Sequence, residues 1–132
     1  MTRWLCVLVL LVTVGGARAG GEETAAQIRR LGGSVSREPW TGWIVVGKIH
    51  RTGTRTLVSL AGTPAVDADL TGLAELGWVY SLSLQGTHVT DGGLKKLYQL
   101  HNMRYLDLGG TCVTDLGVAE LQKALPRCRI SR

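Results

Sequence analysis

The chain has 132 residues, of which 45% are hydrophobic and 19% charged, and a formal net charge of +5. That length holds one small domain. A positive surplus this small and this dispersed is not the footprint of a nucleic-acid binder, and the arginines Arg29, Arg30, Arg37, Arg51 and Arg55 read as solvated surface charge.

In chain order, residues 1–19 have the pattern of a secretory leader. Arg3 supplies the basic end, residues 5–14 are apolar, and Ala17-Arg18-Ala19 has the small-x-small spacing of a cleavage site. The apolar run is shorter than the roughly 20 residues that span a bilayer, so no stable membrane insertion is expected after cleavage behind Ala19. Loss of Arg3 and Arg18 leaves a net charge of +3. The expected location is secreted or periplasmic.

Residues 22–31 read as a helix, acidic at its start and closed by Gly32-Gly33, with Ala25, Ile28 and Leu31 on or near one face. Residues 34–37 suit a short strand and Pro39-Trp40-Thr41-Gly42 a turn. The apolar, β-branched stretch from Trp43 to His50 predicts a strand, and Thr52-Gly53-Thr54 a second turn.

From Leu57 onward one pattern recurs every 24 residues. Gly62-Thr63, Gly86-Thr87 and Gly110-Thr111 are in step, as are Asp67, Asp91 and Asp115, and Leu73, Leu97 and Leu121. Each unit starts with an apolar-x-apolar strand: Val58-Ser59-Leu60, Leu82-Ser83-Leu84 and Leu106-Asp107-Leu108. A glycine turn follows, then helix-start residues at Thr90-Asp91 and Thr114-Asp115, and apolar residues three apart that form one helix face. A fixed period of this kind marks a solenoid, in which each unit buries its apolar face against the next. The 20–56 segment, outside this register, is expected to be an N-terminal cap on repeats at 57–132.

The pattern L-x-L-x-G-T-x-V-T-D-x-G-L, clearest in residues 82–94 and 106–118, resembles leucine-rich repeat proteins, specifically a secreted bacterial type. The first unit departs from it at Pro64-Ala65-Val66, which lacks the threonine cap. Residues 125–130 resemble a closing strand. The resemblance implies an α/β fold: a short right-handed solenoid, with parallel strands on a concave face and short helices on a convex one. It implies binding, with no cofactor, and a protein as the partner.

Several constellations have residue types that could carry chemistry. The three aspartates would stack roughly 5 Å apart at sheet spacing. Capping of their own helices fits them better than a calcium ladder, which needs several more oxygen ligands per ion. The threonines Thr63, Thr87 and Thr111 form a second ladder, suited to satisfying loop backbone. His50, His88 and His101 occupy unrelated repeat positions. His88 and Cys112 align on adjacent units, yet no orienting third group or oxyanion site accompanies them, and no paired motif supports zinc. In an oxidising compartment the even pair Cys112 and Cys128 invites a disulfide, although strand length argues against it by setting them beyond the ~7 Å Cα limit.

The candidate site is therefore the outer strand face, where alternation exposes Ser83, Gln85, Tyr105, Asp107 and Arg129. Tyrosine and arginine are the residue types that most often anchor interfaces. The expected function is a non-catalytic protein-interaction module. Self-assembly of the short array is the alternative, and a thiol- or histidine-dependent enzyme a more remote one. Arg127, Arg129 and Arg132 blunt the terminal edge against strand addition, which favours a monomer.

Overall fold

The computed structural model describes residues 19–44 and 49–132, and side chains are not described for residues 40–53. All but the last residue of the expected leader, and residues 45–48, lie outside the described part. Helix α1 (Ala19–Arg30) comes first, with Glu22 in its first turn and Arg29 and Arg30 in its last, which complements the helix dipole. Gly32, at φ 91°, ends it. The amide of Gly33 donates to the carbonyl of Ile28 and that of Gly32 to Arg29, the paired bonds of a Schellman stop.

Strands β1 (Ser34–Ile44) and β2 (Ile49–Ser59) pair antiparallel over eleven positions. This corrects the local sequence reading. Pro39-Trp40-Thr41-Gly42 lies inside β1 and Thr52-Gly53-Thr54 inside β2, while Trp43 and His50 face each other across the ladder rather than bounding one strand. Both turn signals are overridden by a long antiparallel ladder. β1 is the sheet edge, where proline is tolerated because a missing donor need not break a ladder bond.

β2 then pairs in parallel with β3 (Val79–Ser83), β3 with β4 (Tyr105–Asp107) and β4 with β5 (Arg129–Ser131). The result is a five-stranded sheet in sequence order. The boundary expected at 56/57 falls within β2. Between strands the chain returns through helical segments that become longer and more regular along the chain. Two 3₁₀ turns (Asp67–Leu70, Leu73–Leu76) follow β2, and a single α-turn, α2 (Asp91–Leu94), leads into a 3₁₀ turn after β3. A full helix, α3 (Asp115–Ala124), follows β4.

The in-register leucines supply the core. Leu60, Leu84 and Leu108 are fully buried, as are Leu73, Leu97 and Leu121 on the helical side. The sheet and the row of helical segments thus make two layers over one leucine core. This is an α/β repeat fold with a parallel sheet and helices. No helix among the described residues is long and apolar enough to cross a membrane.

Candidate functional site: the outer strand face

Strand register sets the rows of the outer face. Ser36, Leu57, Ser81, Tyr105 and Arg129 are successive partners across the five strands, and Ser34, Ser59, Ser83, Asp107 and Ser131 form the next row. Four of the five expected site residues come together here: Ser83, Tyr105, Asp107 and Arg129 line one shallow, open depression with Ser81 and Ser131. Gln85 does not line it but lies beside it, its side chain close to Gly109 next to the Asp107 carboxylate. Tyr105 is 47% exposed, the most exposed aromatic among the described side chains. The Asp107 carboxylate turns back on its own chain and accepts from the Gly109 amide at 3.0 Å.

Two participants escaped the sequence reading. Tyr80 packs edge-on against Tyr105, with ring centroids 5.6 Å apart, and the Arg55 guanidinium sits 4.8 Å from the centre of the Tyr80 ring. Glu38 holds Arg55 through a 2.8 Å ion pair. Strict alternation hides this cluster, since Tyr80 and Ser81 are both partly exposed where one of them should point inward. The irregularity has a position: the β2–β3 register shifts between Thr56 and Leu57. A bulge of this kind places two successive side chains on one side.

The repeat ladders are structural. Each threonine of the Gly-Thr pairs donates its hydroxyl to the carbonyl three residues back, at 2.7 Å in all three units. The glycines before them have φ of 67–69°. The aspartates behave differently from the capping expected of them. Helices α2 and α3 are capped by Thr90 and Thr114, whose hydroxyls accept from the amides of Gly92 and Gly117. The aspartates reach into the following unit instead. Asp67 accepts from the Thr90 amide at 2.7 Å and from its hydroxyl at 2.6 Å. Asp91 does the same with Thr114, at 2.8 and 2.5 Å. Two carboxylate oxygens match two donors on one residue, which a cap on the same helix would not offer. The Thr114 hydroxyl, then its amide, holds the Asp91 carboxyl below its ordinary value of 3.8, with a smaller contribution from Arg132. Asp115, in the last unit, is taken by Arg132.

His88 and Cys112 are both exposed, and neither side chain has a hydrogen bond among the described residues. Cys128 is buried, and burial pushes its thiol above the usual range, with Arg104 opposing. Cys112 and Cys128 are both free thiols. Among the described residues no group of three or more His, Cys, Asp or Glu is placed to hold a metal ion.

Residues 99–121 match the family model described as Leucine Rich repeat. This stretch contains β4, the Gly110-Thr111 turn and most of α3, one strand-turn-helix unit. The match supports a leucine-rich repeat protein. Among curated proteins, none matches the chain. Leucine-rich repeats are in general non-enzymatic modules of protein interaction, which suggests a protein partner here.

Proposed function

We propose that the chain is a non-catalytic protein-interaction module of a secreted bacterial leucine-rich repeat type. Its repeats form a short solenoid, α1 and the β1–β2 hairpin cover the first unit as a cap, and the mature protein begins at Gly20 and works outside the cytoplasm as a monomer. The partner docks on the concave strand face, centred on Tyr105 with Ser83, Gln85, Asp107 and Arg129 around it. One observation carries this reading: a half-exposed tyrosine stands on the strand face between a serine and an arginine of the neighbouring strands. Tyrosine and arginine are among the residues in which interface energy is most often concentrated.

The test is affinity capture from an extracytoplasmic extract, run beside a Tyr105→Ala/Asp107→Lys double variant. A protein held by the wild type and lost by the folded variant is the expected result. Equal retention by both would move the site to the cap or the helical side. Capture of nothing by either would remove the interaction-module reading.

A further inference from the structure

The chemistry of the partner follows from the charges around Tyr105. Arg129 lies directly across the β4–β5 ladder from Tyr105, and its amide donates to the carbonyl of Arg104, the residue before β4, at 2.8 Å. Neither Arg104 nor Arg129 has an ion pair among the described residues, whereas Arg37, Arg55 and Arg132 all have one. Arg29, Arg30 and Arg127 likewise have no ion pair among the described residues, but Arg129 is the one that stands at the β4–β5 end of the Tyr80–Tyr105 pair. At the other end, Arg55 is already neutralised by Glu38.

We infer that this end of the strand face binds an acidic protein segment, in which a carboxylate pairs with Arg129 and an apolar side chain packs on Tyr105. The inference rests on the interaction-module reading above and adds the charge of the partner. A guanidinium presents a planar fork of donors that fits a carboxylate with two parallel bonds. The same face disfavours a uniform polyanion. Such a polymer would bring negative charge against Asp107 in the adjacent row and against Glu38 beyond Arg55. A peptide can place its carboxylates at the arginines alone. Rows are spaced ~4.8 Å per strand, so the stretch from Tyr80 to Arg129 spans roughly 10 Å. Three or so extended residues, at ~3.3 Å each, cover that distance.

The test uses the full chain and a short fluorescein-labelled peptide of glutamates around a central leucine, read by fluorescence anisotropy. Matched peptides carry glutamine or lysine in place of glutamate, and alginate serves as a uniform polyanion. The glutamate peptide is expected to bind, and to weaken as salt rises from ~0.1 to ~1 M and the screening length shortens from ~10 to ~3 Å. Arg129→Glu should weaken binding by roughly tenfold or more through like-charge repulsion. Arg30→Glu, on the exposed side of α1, is expected to leave binding unchanged, and Arg129→Lys to restore part of it. Equal binding of the glutamine peptide, insensitivity to Arg129→Glu, or competition by alginate as effective as the peptide would overturn the acidic-segment assignment. Failure of every peptide to bind would overturn it too. If protein capture still depended on Tyr105 and Asp107 in that case, the interaction surface would stand and only its charge preference would fall.

Discussion

The bond from an aspartate to the threonine of the following unit explains residues that the repeat pattern leaves without a reason. A Cβ on Gly117 would collide with the Asp91 carboxylate, and one on Gly93 with that of Asp67. These glycines are thus openings for the preceding aspartate, and neither has a positive φ to account for it. Gly117→Ala is expected to lower the urea midpoint, because the displaced carboxylate loses its threonine. In an Asp91→Ala background the same change should be neutral or slightly stabilising, since alanine is favoured over glycine in a helix by roughly 0.5–1 kcal/mol. Urea unfolding of the four-member cycle reads this sign change, and additive effects would refute the opening argument. The same carboxylate sets a pH signature. Because the folded Asp91 titrates below its ordinary value of 3.8, its stabilising contribution is fully present above that value. It is lost as the pH falls through the depressed folded value. Melting curves of the wild type and Asp91→Asn should therefore converge in acid, below the ordinary carboxylate range. A constant gap down to the lowest pH would show that the bond to Thr114 does not depend on the charge.

Among the elements, those built on the 24-residue period were the legible ones. The threonine caps, the glycine turns and the leucine faces follow from local chemistry repeated in step, and the structure places each in the same role. The hairpin was not legible, because its long ladder is a tertiary arrangement that overrides Pro39-Trp40-Thr41-Gly42 and Thr52-Gly53-Thr54. Tyr80 was missed for a related reason, since alternation fails where the β2–β3 register shifts. The docking of α1 was half-legible: Ala25 and Ile28 point inward as their spacing predicts, but the glycines at its start read only as weak helix formers. They are contacts. A Cβ on Gly20 would strike the Glu75 carboxylate, and one on Gly21 would come within 2.6 Å of the Glu75 carbonyl oxygen. Thr24 completes the seam by donating to the Gly20 carbonyl at 3.0 Å and the Gly72 carbonyl at 3.4 Å. Gly21→Ala should therefore cost about 1–3 kcal/mol despite alanine's better helix propensity, as overpacking of a tight contact does. Guanidinium unfolding followed by circular dichroism measures it, and a raised midpoint would mean that α1 does not pack this closely.

At the scale of the whole molecule, the first unit is matched to α1 and the later ones to each other. Asp69 stands where Gly93 and Gly117 stand in the later units, a position with no preceding aspartate to receive. Its carboxylate instead accepts from Gln27 of α1 at 3.0 Å and from the amide of Val66 at 2.9 Å. Of the site, Tyr105, Asp107, Ser83 and Arg129 were readable because strand alternation holds where the repeat is regular. Arg55 and Tyr80 depend on a neighbouring irregular strand and had no such signal. The asymmetry between the first unit and the rest also gives the array a direction of growth. A duplicated segment from the second or third unit carries its own threonine, its own glycine opening and its own aspartate, so it fits behind any existing unit. Ahead of the first unit, a duplicated aspartate would meet a valine with no hydroxyl and a carboxylate in the space it needs. Gene duplication can therefore lengthen this chain in whole periods behind the first unit, with the same aspartate–threonine bond at each new junction between units.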